Sequence, residues 1–447
     1  MAEKIKIATK RGASCVGCDI ALVNLSENLL ELLKIADIVF APTLIDVKYK
    51  DLKAMPDKSI TIGLYHGAVR NSENEEFAHI MREKCQILIA YGACAHMGGI
   101  PGLANVASKG SIFNTVYRET FSTENPENIR PRTEWLDKRG HKLTLPEFFD
   151  DVKTLDDVVD VDYYVPACPP TYDMNMQILN MVKDFVEGKA PLPPKGTVIA
   201  GEKILCDECD RKKPEKVRID RIRFITDIEP DPEKCFLEQG ILCLGPVTRS
   251  GCGVPCIKAN MPCRGCTGPT ALVMDQGGSM LSAISSVLGT PDKESQLTEK
   301  ETEKLMSQIK DPLGYFYRFS LPKSFLKRVV RKKVGVLVRA APYGMASAGE
   351  GFRAIIGITG MGMETNVILV DDGVFIAKAK QNPSGIGRQK LEDAYESLPD
   401  FGAKLYIHKE SARLRGISEQ ETVKGEWIDT SKLKELINSM DMVVTFT

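Results

Sequence analysis

Thirteen cysteines occur in this 447-residue sequence, all between Cys15 and Cys266, while residues 267–447 carry none. Thiolates are soft metal ligands and the nucleophiles of redox and persulfide chemistry. By spacing they fall into Cys15-Val16-Gly17-Cys18 with distant Cys94 and Cys168; Cys206-Asp207-Glu208-Cys209 with Cys235 and Cys243; and Cys252, Cys256, Cys263 and Cys266. A single CxxC serves zinc ribbons and thioredoxin-type sites alike. Three such pairs, each completed to four thiolates, match the donor set of 4Fe-4S cubanes, with zinc as the alternative occupant. Cys85, where a predicted helix meets a predicted strand, is left over and reads as a buried apolar thiol.

These residues need a scaffold. Residues 4–9 predict a strand, a loop then carries Cys15 and Cys18, and apolar periodicity predicts a helix over Ile20–Ile35. Strands are predicted at 37–42, 60–64, 86–91 and 162–165, with helices over 73–84 and from about Tyr172. The alternation implies a flavodoxin-like parallel sheet covered on both faces, whose ligands collect at the carboxyl ends of the strands. Cys15 and Cys18, Cys94 and Cys168 all follow such strands. Gly92-Ala93-Cys94-Ala95, Ala167-Cys168-Pro169-Pro170 and Leu244-Gly245-Pro246 put small side chains and fixed φ angles where backbone must approach sulfide closely.

Residues 105–160 read as an insertion with a helix over 145–155, and the Pro-rich 188–196 as a linker. The Cys-, Gly- and Pro-rich stretch 201–275 has little periodicity and predicts a fold organised by bound metal more than by secondary structure. A charged helix is expected over 291–309. After the basic run Lys327–Lys333, a second α/β unit is predicted: strand 334–338, helix from Ser347, strands 365–370 and 441–446. The expected domains are thus 1–190, flavodoxin-like; 191–333, an irregular iron-sulfur domain; and 334–447, small and α/β.

Lys and Arg (59) balance Asp and Glu (60), which excludes a globally basic nucleic-acid binder. The longest apolar runs are strand-sized, so no membrane span is expected, and the N-terminus shows no apolar export segment. A cytoplasmic location follows, where thiols in number serve metals more than disulfides.

In order along the chain, the N-terminal CxxC, Gly-Ala-Cys-Ala, Ala-Cys-Pro-Pro, Cys-Leu-Gly-Pro and Cys-Arg-Gly-Cys resemble the small, electron-transferring subunit of NiFe hydrogenases. The likeness covers residues 1 to about 330 and is greatest to the cytoplasmic methyl-viologen-reducing type that methanogens couple to heterodisulfide reductase. It implies three 4Fe-4S clusters: proximal on Cys15, Cys18, Cys94 and Cys168; medial on Cys252, Cys256, Cys263 and Cys266; distal on Cys206, Cys209, Cys235 and Cys243. It also implies a separate NiFe large subunit as partner, and an iron-sulfur adaptor with a heterodisulfide-reductase-like or other low-potential iron-sulfur or flavin acceptor. Cys206 stands where many periplasmic relatives use a histidine, and Cys256 adds a fourth thiolate where many hold a three-iron cluster. Both changes add negative charge and fit a low-potential acceptor. No CxxC pair remains to hold nickel, so hydrogen chemistry is expected on the large subunit. The adjacent cysteines of the related respiratory complex I subunit are absent here.

The tail resembles the DsrE/DsrF superfamily, TusC-like branch, through Arg339-Ala340-Ala341-Pro342-Tyr343-Gly344 and Val370-Asp371-Asp372-Gly373-Val374-Phe375. Without a cysteine it cannot carry a persulfide, so oligomerisation or docking, including to sulfur-relay proteins, is its expected role. Gly360-Met361-Gly362 reads as a turn. The five histidines, His66, His79, His96, His141 and His408, read as solvated or locally bonded, with His96 placed to tune the proximal cluster. Arg211–Arg223 is a candidate docking patch for an acidic redox partner. Two further readings remain open: an adaptor for a nickel-free large-subunit homologue, and a zinc-stabilised sulfur-relay scaffold.

Overall fold

Apolar β-branched runs build the first sheet of this computed structural model, which describes residues 4–288, 299–327, 333–360 and 363–447. Its strands are β1 (Ile5–Arg11), β2 (Ala36–Phe40), β3 (Ile60–His66), β4 (Cys85–Tyr91) and β5 (Tyr163–Val165). They are all parallel in the order β2-β1-β3-β4-β5, the flavodoxin-like arrangement. Side chains alternate between two cores. Ala8, Ile60, Tyr65, Leu88 and Ala90 pack on one face, and Ile7, Ile62, Leu64, Ile89 and Val165 on the other.

Parallel pairing requires crossovers, supplied by α1 (Gly17–Val23), α2 (Glu27–Ile35), α3 (Ser72–Lys84), α4 (Ala93–Met97) and α5 (Tyr172–Val186). The Asn71 side chain caps α3 by accepting from the Asn74 N–H at 2.8 Å; Glu73 and Glu75 lie in the first turn, Arg82 and Lys84 in the last, as the helix dipole favours. The single helix predicted over 20–35 is two, because Ser26 adopts φ 51° and the break buries Leu25 beneath the chain. The helix predicted over 145–155 is instead a strand, Phe148–Lys153, antiparallel to Val69–Asn71. Val152 there is bracketed by Asn105, whose Oδ1 accepts from its N–H at 2.8 Å and whose Nδ2 donates to its carbonyl at 3.2 Å. Pairing with a distant edge overrides the local pattern.

The Cys-rich stretch holds short 3-10 turns at Leu205–Asp207, Leu237–Gln239 and Gly245–Val247 and one helical turn, Pro255–Lys258, before α6 (Gln276–Val287). It also has an apolar core of its own, with Leu205, Ile219, Phe236, Ile241, Ile284 and Phe316 packed around Cys243 and Cys263. Its secondary structure is as sparse as its composition implies, and apolar burial helps to organise it. Of the charged stretch 291–309, Glu299–Met306 is helical; 291–298, Arg328–Lys332 of the basic run and Met361-Gly362 lie outside the described residues.

The chain divides into two compact units, Met1–Val329 and Val330–Thr447. The second has strands β6 (Lys333–Val338), β7 (Glu364–Leu369), β8 (Lys404–His408), β9 (Glu426–Ile428) and β10 (Met442–Phe446), all parallel in the order β9-β8-β7-β6-β10, with helices α7 (Ser347–Gly360) and α8 (Thr430–Asn438). Asp371, just past β7, has φ 50°; its N–H donates to Ser411 Oγ at 2.9 Å and its carboxylate meets Arg339 at 2.7 Å. Among the described residues no helix is long and apolar enough to cross a membrane.

Asp162 ties β4 and β5 together. Its buried carboxylate takes Arg82 at 2.6 Å, Lys195 at 2.5 Å and the Leu88 N–H at 2.8 Å. Burial alone would raise its pKa; these donors outweigh burial and hold it below the usual carboxylate range. The folded state therefore gains stability from Asp162 at neutral pH and loses it as pH falls through that lowered value. Asp162→Asn is expected to destabilise the protein by about 2 kcal/mol at pH 7, read by urea unfolding, with the difference closing in acid.

Candidate metal centres

The loop after β1 is held by backbone bonds from Gly12 to the His66 carbonyl and from Ala13 to the Ala68 carbonyl, both 2.7 Å. One turn on, Asp19 pairs with His66, Oδ1 to Nε2 at 2.9 Å, both buried. Burial opposes the Asp19 charge, but His66 holds the carboxyl below its usual range. These contacts fix α1 so that Cys18 is buried, its Sγ 3.9 Å from the Tyr91 carbonyl. At the ends of β4 and β5, Gly92 donates to the Val165 carbonyl and Ala93 to the Ala167 carbonyl, each at 2.7 Å, which locks the Cys94 turn to the Cys168 loop. Burial raises the Cys94 thiol to about 12, and Cys168 and Cys15 add to it. Cys18 is raised further by burial, with Cys94, Cys168 and Cys15 contributing. Cys94, Cys168 and Cys15 thus all lie near enough to act on Cys18, and Cys15 and Cys168 are exposed.

The cysteines of the other two groups lie in the Cys-rich stretch. Burial raises Cys206 to about 12, followed by the influence of Cys243, Cys235 and Cys209. Cys266 is raised to about 12 by burial, then by Cys252, Cys256 and Cys168. Cys263 is raised by burial, then by Cys243 and Cys266. Two of these neighbours belong to other groups. Cys266 adjoins Cys168, and the Ala167 N–H donates to the Cys266 carbonyl at 3.0 Å; Cys263 adjoins Cys243, and the Leu244 N–H donates to the Cys263 carbonyl at 3.0 Å. The cysteines that come last in sequence therefore touch loops of both other groups.

The surroundings fit bulky inorganic groups carried on sulfur. A Cβ on Gly92 would stand 2.6 Å from Cys18 Sγ, one on Gly99 2.5 Å from Cys94 Sγ, and one on Gly245 3.1 Å from Cys206 Sγ. Buried thiols with raised pKa values stay neutral until metal cations compensate their charge. Cys85 stands apart: wholly buried, raised to about 12 by burial, its Sγ filling the space over Gly63.

His66 is locally bonded as expected, but to Asp19 and in a buried place. The ring of His96 lies 4.8 Å from that of Tyr164, and His96 lines a cavity with Asp156, Arg249 and Lys323. Burial pulls its pKa down to about 4. His141 pairs with Asp137, and His408 bonds Ser411 and Thr430. Arg211 is buried 3.8 Å over the Phe236 ring and donates to the carbonyls of Asp231 and Lys234, so its guanidinium is structural and unavailable for docking. Glu208, inside the second CxxC, accepts from the Gly251 and Gly253 N–H groups at 2.8 and 2.7 Å and thereby ties the Cys206 loop to the Cys252 loop. Only its position between two cysteines could have drawn notice to it.

Residues 15–182 match the family described as NADH ubiquinone oxidoreductase, 20 Kd subunit, and residues 332–446 the DsrE/DsrF-like family. The iron-sulfur subunit of the F420-non-reducing hydrogenase of Archaeoglobus profundus is 42% identical over 334 residues, 73% of this chain and 99% of that one. The corresponding subunit of the F420-non-reducing hydrogenase of Methanothermobacter marburgensis is 35% identical over 74% of this chain and 99% of its own. The delta subunit of the NAD-reducing hydrogenase HoxS of Cupriavidus necator is 30% identical over 42% of this chain and 80% of its own. With the thiol groups at the strand ends, these likenesses identify an oxidoreductase component of the iron-sulfur class. The chain belongs to the family of hydrogenase small subunits typified by the iron-sulfur subunit of the F420-non-reducing enzymes, here fused to a DsrE-like domain.

Proposed function

We propose that the protein relays electrons between the NiFe site of a separate large subunit and a low-potential iron-sulfur or flavin acceptor in the cytoplasm. Cys15, Cys18, Cys94 and Cys168 would hold the proximal 4Fe-4S cluster, Cys252, Cys256, Cys263 and Cys266 the medial one, and Cys206, Cys209, Cys235 and Cys243 the distal one. When bound, such clusters take up and give back single electrons at potentials set by ligand charge, hydrogen bonds and burial. The observation that supports this reading is a pair of backbone hydrogen bonds, Ala167 N–H to the Cys266 carbonyl and Leu244 N–H to the Cys263 carbonyl, each 3.0 Å, which bring cysteine loops of neighbouring groups together.

The chain's own residues do the rest. Cys15 and Cys168 are exposed, so a cluster on the first group would face a docking large subunit, while buried Cys243 and Cys263 would shield the other two from water. Gly17 and Gly265 donate their N–H groups to Cys15 and Cys263 Sγ at 3.4 Å, stabilising negative charge on sulfur. The Cys-free DsrE-like unit supplies a docking or oligomerisation surface for an iron-sulfur adaptor, a heterodisulfide-reductase-like assembly or sulfur-relay proteins.

The test is composition and turnover of the complex purified without oxygen. About twelve iron and about twelve labile sulfide per chain are expected, with nickel in the complex and hydrogen-dependent viologen reduction. A colourless, zinc-containing chain overturns the reading, and iron without nickel or hydrogen-dependent reduction restricts the protein to a nickel-free adaptor.

A further inference from the structure

Beside α4, and lined by none of the thirteen cysteines, lies a cavity of about 370 Å³. Its polar wall includes His96, Asp156, Arg249, Gln276, Ser320 and Lys323. Lys323 answers the acidic side, reaching Asp156 at 2.7 Å and Asp157 at 3.3 Å. Arg249 is different. It is only 9% exposed, its Nε and Nη1 donate to the carbonyls of Pro269 and Gly201 at 3.3 Å, and among the described residues no carboxylate forms an ion pair with it; Glu202 acts on it only from a distance. A buried guanidinium is stable when an anion compensates its charge.

Two more groups wait for a partner at the same wall. Ser320 is 5% exposed, and its Oγ is buried with no hydrogen bond; His96 Nδ1 is likewise buried without one. Buried polar atoms are ordinarily satisfied, and these two belong to residues that line, with an uncompensated cation, a space that holds far more than one water, whose share of liquid volume is about 30 Å³.

We infer that this cavity binds a small free oxyanion, a solute bearing a phosphate or carboxylate, held by Arg249 and by the hydroxyl of Ser320, with His96 Nδ1 and Lys323 at its edges. Arg supplies the planar paired donors that such groups take. The inference uses none of the thiols and stands apart from the electron-relay reading.

Inorganic phosphate is the probe, titrated calorimetrically without oxygen into the purified full chain and into its complex. One phosphate per chain is expected to bind both, with a dissociation constant at or below about 1 mM. Arg249→Gln should weaken it at least about tenfold. Ser320→Ala should weaken it about threefold without lowering the melting temperature, because it removes a hydroxyl that has no partner in the unliganded protein. Lys432→Gln, in the other unit, should leave binding unchanged. No binding by either preparation, or undiminished affinity in Arg249→Gln, overturns the inference. Binding to the free chain that vanishes in the complex assigns the cavity to a carboxylate of a partner protein and overturns it equally. Should Arg249→Gln fail to fold, Ser320→Ala decides alone, and an unchanged affinity there sinks the idea.

Discussion

Gly92→Ala is expected to strip the chain of about four of its roughly twelve irons, with loss of one reduced-cluster signal by paramagnetic resonance. Gly92 has φ +88°, and a Cβ there would stand 2.6 Å from Cys18 Sγ, a separation real Cβ atoms essentially never show. Neither side can give way. Gly92 is fixed by its bond to the Val165 carbonyl at 2.7 Å, and Cys18 is buried on a helix pinned by the Asp19–His66 pair. Any relief must move the Cys18 sulfur, which is the ligand atom. Gly140→Ala supplies the control, since Gly140 has φ +83° but nothing within 4 Å of its would-be Cβ. Gly140→Ala controls for a side chain at positive φ, whereas Gly92, with ψ 159°, lies in a region essentially reserved for glycine, so iron lost only in Gly92→Ala reports backbone strain and the collision with sulfur acting together at the Cys18 contact. Full iron in Gly92→Ala would remove Cys18 from the proposed ligand set.

The sheet was legible because its signal is local. Strand-sized apolar runs such as Ile60–His66 and Cys85–Tyr91 can be read without knowing their neighbours, and the strand-end rule then places Cys15, Cys94 and Cys168 at one edge. What escaped depends on distant partners. The strand Phe148–Lys153 exists because Val69–Asn71 offers an open edge and Asn105 brackets Val152, none of which the local pattern of Leu145–Leu155 encodes. The break at Ser26 escaped for the opposite reason: a run of leucines on both sides keeps helical periodicity through a residue at φ 51°. The site divides the same way. Spacing groups the cysteines, but only the fold puts Cys266 beside Cys168 and Cys263 beside Cys243, so the spatial order of the three sets differs from their order in sequence. Glu208 and the Asp19–His66 pair brace the thiol loops through contacts between residues far apart in the chain, which no motif announces.

Cys263→Ala tests that order directly and is expected to break the relay while leaving both of its ends in place. Cys263 is 6% exposed and adjoins Cys243 on one side and Cys266 on the other. Losing it should remove the middle cluster, so iron falls to about eight per chain. The end clusters keep their own thiols: Cys15, Cys18, Cys94 and Cys168 on one side, Cys206, Cys209, Cys235 and Cys243 on the other. Chemical reduction should therefore still produce two cluster signals, whereas hydrogen-driven reduction of the far acceptor falls to background, because the gap lies between them. Cys85→Ala is the matched control. It deletes a thiol that is wholly buried in an apolar core, at a cost of about 1 kcal/mol, and it should keep all the iron and the turnover. If Cys263→Ala retains its iron, the middle set is misassigned. If it loses the iron yet keeps hydrogen-driven reduction of the acceptor, the electrons do not run through the middle set, and the terminal sets must be close enough to exchange them without the one between.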